Sequence, residues 1–233
     1  YDIDIIHARS RAPAWSCLFS CFITRRKFVT TFHGTYNFSS PIKLFYNSVM
    51  VRSKLIIAGS NFIFEPIVSN YQKYLKKKQK LMVIFRGINL EYYNPRNVSD
   101  NHINKLIKDW NIDTSKFIIL LPGRITKWKG QEMFLDALAN LKEIYKKENF
   151  HAIILGSDQG RNVYYKKLIV STERHRIKNK VSFIKNCRDM PSAYKLANVV
   201  VSSSIEPEAF GRVAVEAQAM EKPIIASDIG GSR

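Results

Sequence analysis

Short apolar runs alternate with amphipathic stretches along this whole chain, and that alternation leaves few folds open to it. Asp2–Ile6 (DIDII), Lys27–Phe32 (KFVTTF), Lys54–Ala58 (KLIIA) and Leu81–Phe85 (LMVIF) read as strands. Helical patterns over 11–22, 41–51 and 61–74 separate them. A second alternation starts at Phe117, with strands at FIILLP, HAIILGS, VSFI, VVVSS and PIIAS. Helices are expected between them over 130–147, over 161–174, in a short stretch capped by Asp189, and from about Gly211. Strands too apolar to face water on either side, each followed by a helix, imply parallel sheets of the doubly wound α/β type. Arg86–Pro95 is polar and punctuated by Gly87 and Pro95. The chain therefore reads as one domain over 1–95, a linking segment over 96–116 carrying a helix at 101–110, and a second domain over 117–233.

Composition narrows the partners. The chain has 233 residues with 37 Lys and Arg against 19 Asp and Glu, a formal net charge of +18 that favours anionic partners. The densest run, YQKYLKKKQK over 71–80, fits a solvated basic face or attraction to an anionic membrane surface. No zinc-finger, RNP or basic-zipper pattern argues for nucleic acid, and no apolar run nears the ~18 residues that span a bilayer. Three cysteines (Cys17, Cys21, Cys187) make neither a disulfide set nor a zinc cluster and fit a reducing cytoplasm.

Chemistry concentrates in three places. After Val199–Val201 comes SSSIEPEAFGRVAVEAQAM, which puts Glu208 in a loop at a helix N-terminus and Glu216 inside the helix. At 1.5 Å per residue they stand roughly 10 Å apart, the span of a sugar joined to a nucleoside diphosphate. The helix N-terminus offers unpaired amides and a positive dipole end to a phosphate or a sugar hydroxyl. By itself such a spacing also describes an ordinary surface helix with two acids. The loop LPGRITKWKG (121–130) follows the first strand of the second domain, where open α/β sheets bind ligands. There Gly123 allows a turn, while Arg124 and Lys129 supply a flat fork and a point charge for phosphate oxygens. In the first domain His33 ends a strand in T-F-H-G-T, and His7 follows DIDII. His102, His151 and His175 read as structural or surface residues. LGSDQG lacks a full dinucleotide fingerprint, and the Tyr74–Lys78 spacing has no cofactor motif before it, so an epimerase is disfavoured.

E-A-F-G-R-V-A-V-E-A-Q-A-M-E-K-P-I-I-A-S-D-I-G-G, with P-G-R-I-T-K-W-K-G and T-F-H-G, resembles the signature of GT-B retaining glycosyltransferases of the group 1 family (glycosyltransferase family 4). The resemblance implies two Rossmann-like, doubly wound parallel-sheet domains facing across a cleft, the first incomplete. It implies a hexose moved from a nucleoside-diphosphate sugar to an envelope polysaccharide, lipopolysaccharide or lipid-linked acceptor. Arg124 and Lys129 would hold the diphosphate beside Gly123. Glu208 would contact hexose hydroxyls with amides near Phe210 and Gly211, and Glu216 would accept the ribose hydroxyls. His33 would orient the hexose and stabilise the transition state through its carbonyl, counting with Glu208 as catalytic. His7 would lie on the acceptor side, and LGSDQG and NCRDMP near the base and ribose.

No metal and no cofactor beyond the donor substrate are expected, because two cations and a helix N-terminus already supply positive charge. The expected setting is cytoplasmic, with peripheral attachment at the inner face of the membrane as the further option. The resemblance also implies a chain shortened at both ends relative to the family. The alternative is an inactive remnant that binds nucleotide sugar.

Overall fold

The computed structural model describes residues 2–36, 39–160 and 162–232. The chain forms two compact units, one of residues up to 87 together with Glu208–Phe210, the other of residues 88–207 and 211–232.

The first unit holds β1 (Ile5–Ala8), α1 (Arg11–Thr24), β2 (Lys27–Phe32), α2 (Pro41–Asn47), β3 (Leu55–Ala58), α3 (Asn61–Tyr71) and β4 (Lys80–Val83). All pairings are parallel, and the order is β1-β2-β3-β4, each strand added on the same side of the last. Ala8, Thr30, Ile56 and Leu81 lie in line across the sheet, as do Phe32, Ala58 and Val83. Of these, Ala8, Phe32, Ile56 and Ala58 form one core with Val49, Met50, Ile63, Ile67 and Tyr71, and Leu81 and Val83 pack against it. Neighbouring β3 residues alternate between half-buried and buried, the period-2 pattern of a sheet whose faces are unequally covered.

Several elements stop short of their sequence expectation. The helix expected over 41–51 is α-helical only to Asn47 and tightens into a 3₁₀ turn over Ser48–Val51. α3 ends at Tyr71 rather than Tyr74, where the chain turns with Tyr74 and Leu75 both donating to the Tyr71 carbonyl. Four lysines follow within the next seven residues, and their mutual repulsion opposes further turns. Strand β1 sits later than DIDII, since its ladder with β2 starts at Ile5–Lys27. Asp2 and Asp4 stay exposed, each 3.5 Å from Arg26.

The second unit holds α4 (Asp100–Trp110), β5 (Phe117–Pro122), α5 (Gln131–Glu143), β6 (Phe150–Leu155), α6 (Asn162–Arg174), β7 (Val181–Ile184), α7 (Met190–Leu196), β8 (Val199–Ser202), α8 (Arg212–Ala219) and β9 (Ile224–Ala226). Residue 161, where α6 is expected to begin, lies outside the described residues. The order β7-β6-β5-β8-β9, parallel throughout, grows one way from β5 and then the other. Successive β5 residues therefore enter two cores. Ile118 and Leu120 pack with Tyr194, Ala217 and Met220, while Ile119 and Leu121 pack with Leu135, Ile154 and Leu168. β6 is buried at every position, as a strand covered on both faces must be. Helix α5 ends before residue 147. Lys146 takes a left-handed φ of 51°, and Tyr145 beside it is exposed.

Candidate functional site

The strand order of the second unit reverses beside β5, so the loops after β5 and β8 leave the sheet side by side. Such a reversal opens a crevice at the carboxyl ends of the strands. Both loops lead into helices that start on glycine. Gly130 caps α5 with φ 69° and Gly211 caps α8 with φ 77°, and neither has a side chain to satisfy the first-turn amides. Helices α2, α3, α4 and α7 instead start on Ser40, Ser60, Ser99 and Asp189, whose side chains accept those hydrogen bonds. The two helices beside the reversal thus start without a capping side chain at their positive ends, although the Glu132 amide of α5 meets the Tyr164 hydroxyl and Ala214 of α8 donates to the Gly211 carbonyl.

The loop between β5 and α5 is fixed by its neighbours. Gly123 donates to the Leu155 carbonyl at 2.8 Å, and Ile125 to the Ser157 carbonyl at 3.0 Å. Gln131 is fully buried and donates to the Arg124 carbonyl at 2.9 Å. From the β8 side, Ser203 Oγ donates toward the carbonyls of Lys129 and Gly130, at 3.1 and 3.2 Å, and Ile205 N–H donates to Trp128. The backbones meet so closely at Gly130 that a Cβ there would lie 1.8 Å from the Ser203 oxygen. Lys129 lies across Gly123 and over the Trp128 ring, its Nζ 4.4 Å from the ring centre. Arg124 is exposed, its guanidinium carbon 5.6 Å from the centre of the same ring. The structure thus gathers Gly123, Arg124 and Lys129 in one braced loop, as the sequence leads one to expect.

Glu216 lies inside α8 and is buried, with only 7% exposure. Arg212, one turn earlier, donates to Oε1 at 2.7 Å, and the wholly buried Tyr194 donates its hydroxyl to Oε2 at 2.8 Å. The sequence reading did not find Tyr194. Its signal is faint: a tyrosine within the NCRDMP-led helix, 22 residues before the acid it holds. Burial and the Glu216 charge push the Tyr194 and Tyr93 hydroxyls well above the usual phenol range, so both stay protonated donors. Tyr93 hydrogen-bonds to the same carboxylate, so of its roughly four lone-pair sites about one stays open to a further hydroxyl. Helix α8 begins only at Arg212, so the reckoning of rise per residue applies from there to Glu216 and not back to Glu208. Glu208, Ala209 and Phe210 belong with the first unit, where Ser60 donates to the Ala209 carbonyl at 2.5 Å.

In the first unit His33 follows β2 and is contacted on both ring nitrogens. Arg9 Nε lies 2.8 Å from Nε2 and an Arg86 nitrogen 2.9 Å from Nδ1. Burial first, then Arg86, Arg9 and His7, lowers its pKa to about 4. The ring is therefore neutral at neutral pH and accepts at one nitrogen only, so one guanidinium contact is a hydrogen bond and the other a close approach. His7 on β1 shares a 2.7 Å hydrogen bond with Thr31, and burial together with Arg9 lowers its pKa. Neither arginine was singled out from the sequence. His151 is buried against Ser182, while His102 and His175 sit beside Asp189 and Asp136. One D-x-D spacing occurs, Asp2-Ile3-Asp4, and it is the pair beside Arg26. Among the described residues no three His, Cys, Asp or Glu side chains are grouped to hold a metal ion. Nor is any helix among them long and apolar enough to cross a membrane.

The family model described as "Glycosyl transferases group 1" matches residues 102–233, and that described as "Glycosyltransferase Family 4" matches residues 1–92. Spore coat protein SA of Bacillus subtilis is 27% identical over 98% of this chain and 61% of its own length. A D-inositol 3-phosphate glycosyltransferase of Corynebacterium urealyticum is 31% identical over 68% of this chain and 37% of its own. Among solved structures, a glycosyltransferase from Rickettsia africae is 36% identical with a TM-score of 0.86, covering 98% of this chain and 59% of that one. Anabaena HepE, crystallised with UDP and glucose, is 27% identical with a TM-score of 0.81, covering 98% and 60%. The chain thus spans about three-fifths or less of the length of these relatives.

Proposed function

The chain belongs to the group 1 glycosyltransferases, and from that premise we propose that it serves a retaining transfer of a hexose from a nucleoside-diphosphate sugar to a saccharide or lipid-linked acceptor. The observation that carries the reading is the pair of glycine-capped helices at the strand-order reversal, with Arg124 and Lys129 in the loop between β5 and α5. Fixed donors aimed where negative charge develops are the largest single contribution such a reaction can receive. The departing diphosphate is that charge. Arg124 and Lys129 neutralise it, and the positive N-terminal ends of α5 and α8 add to the field. Glu216, oriented by Arg212 and Tyr194, accepts the ribose hydroxyls. Glu208 takes the hexose hydroxyls, with the amides at Phe210 and Gly211 beside them. His33, neutral and held by arginines, orients the hexose rather than accepting its proton, and His7 serves the acceptor.

In the reaction the C1–O bond to the phosphate breaks and its electron pair leaves with the diphosphate. The acceptor oxygen bonds to C1 on the same face, and its proton passes to the departing phosphate oxygen. No divalent ion is required in this scheme. The UDP and glucose bound by Anabaena HepE support UDP-glucose as the first donor to try. The net charge of +18 supports an acceptor of the envelope polysaccharide, lipopolysaccharide or lipid-linked class, met at the cytoplasmic face of an anionic membrane as a peripheral protein. The test is release of nucleoside diphosphate from UDP-, GDP- and ADP-sugars with and without candidate acceptors. Acceptor-dependent release supports transfer, whereas nucleotide binding with no release under any acceptor contradicts it.

A further inference from the structure

A groove of about 570 Å³ opens in the first unit between α1 and the turn that follows α3. Its floor is apolar. Trp15, Leu18, Phe19 and Phe22 come from α1, and Tyr74 from the turn. Phe19 is 67% exposed, Phe22 83% and the neighbouring Ile23 64%, so the outer face of α1 shows water a run of large apolar side chains. The rim is cationic. Arg52 lies over the rings of Trp15, Phe45 and Tyr74 at 5.4, 5.4 and 5.9 Å, and Lys73 and Lys76 also line the groove.

The lysine turn is braced. Gln79 accepts from Lys76 N–H at 2.6 Å and donates to the carbonyls of Val51 and Ser53, both at 2.7 Å. None of Lys73, Lys76, Lys77 and Lys78 forms an ion pair among the described residues. Up to residue 87 the sequence has only three acids, Asp2, Asp4 and Glu65.

We propose that this groove and the exposed face of α1 dock on an anionic phospholipid surface, with Phe19, Phe22 and Ile23 entering the acyl boundary and Arg52, Lys73, Lys76 and Lys77 meeting headgroup phosphates. The proposal names the surface for the membrane association put forward above, and rests on that reading for its partner. Charge complementarity selects the occupant. A lipid leaflet presents anionic headgroups directly over an apolar layer, which is the order of cationic rim and apolar floor here. Single-stranded nucleic acid would match the lysines and could stack on Trp15, Phe19, Phe22 and Tyr74, but it offers no apolar layer for the exposed aliphatic Ile23 to enter. Lysine and arginine stems can lie along apolar surface while their charges stay at headgroup level.

The experiment is sedimentation of the chain with vesicles of phosphatidylcholine, alone or mixed with phosphatidylglycerol. It is run on wild type, Phe19→Ser/Phe22→Ser and Lys73→Ser/Lys76→Ser/Lys77→Ser. Wild type partitions onto the anionic vesicles and not the neutral ones, less so as salt is raised. Each lysine removed weakens partitioning about fivefold, so the triple variant loses roughly a hundredfold. Quenching of tryptophan emission by brominated phosphatidylglycerol, diminished in Trp15→Phe, checks the same face without disturbing the charges. Unchanged partitioning in both multiple variants overturns the proposal. So does equal binding to neutral vesicles, a groove closed by another segment so that Trp15 is not quenched, or retention by a soluble polyanion alone. Nucleotide calorimetry on the same proteins separates this failure from failure of the donor site, because none of these residues belongs to the second unit.

Discussion

Gly130→Ala tests whether the loop between β5 and α5 is locked by backbone contact with the segment after β8, and Gly160→Ala supplies the control. Both glycines have left-handed φ angles, 69° and 78°. Alanine pays a conformational penalty of about 1–2 kcal/mol at either position. Their surroundings differ. A Cβ at Gly160 meets nothing within 4 Å, whereas at Gly130 it would fall 1.8 Å from the Ser203 carbonyl oxygen and 2.9 Å from its carbon. Relieving that overlap needs a shift of roughly 1.5 Å in one of two backbones, given ordinary contacts near 3.5 Å. Overpacking of this kind costs about 1–3 kcal/mol, so Gly130→Ala should lose about 2–5 kcal/mol in all, the strain penalty included. Urea denaturation gives both values from the midpoint at constant slope. The same shift would displace Lys129 and the first amides of α5, and misplacement of about 1 Å can cost roughly a hundredfold in rate. Equal destabilisation by the two substitutions would refute the close approach, because strain alone would then account for both.

Three more outcomes are expected. Tyr194→Phe removes a donor from the buried Glu216 carboxylate and should destabilise by about 1–3 kcal/mol. Nucleoside diphosphate affinity should fall while that of the 2′,3′-dideoxy analogue stays, and an equal fall for both would exclude a role through the ribose. Thr126 has a buried hydroxyl with no partner among the described residues; Thr126→Val should be neutral or stabilising by up to about 1 kcal/mol in a thermal melt, and a clear loss would show that the hydroxyl is satisfied. His33 titrates near 4 in the folded chain against 6.5 when unperturbed. The unfolded state thus binds more protons between those values, and stability rises with pH through that window. His33→Gln should flatten that part of the pH–stability curve, and an unchanged slope would place the titration elsewhere.

Much of this fold is legible in the sequence because strands buried in parallel sheets are continuous apolar runs. FIILL and HAIIL could scarcely be anything else once Gly and polar loops bound them. The loop between β5 and α5 was legible for a similar reason, since its glycines and cations lie within ten residues of each other. What was hidden depends on partners far along the chain. Arg9 and Arg86 reach His33 across 24 and 53 residues, and Tyr194 reaches Glu216 across 22. No local pattern marks such pairs. The ends of β1, α3 and α5 were misjudged because tertiary pairing, lysine repulsion and a left-handed Lys146 decide them, and periodicity sees none of these. The unequal strand orders of the two sheets are likewise set by which edge each new strand joins, which alternation alone does not specify.

The central claim is that the loop carrying Arg124 and Lys129 binds the diphosphate of a nucleotide sugar. Isothermal calorimetry with UDP, GDP and ADP on wild type and Lys129→Ala tests it directly. One nucleotide should bind with saturable heat, and Lys129→Ala should weaken it roughly tenfold or more, since a charged hydrogen bond contributes about 1.5–3 kcal/mol. The urea midpoint should be unchanged. Wild-type affinity in Lys129→Ala would contradict the account, and so would the absence of binding for all three nucleotides.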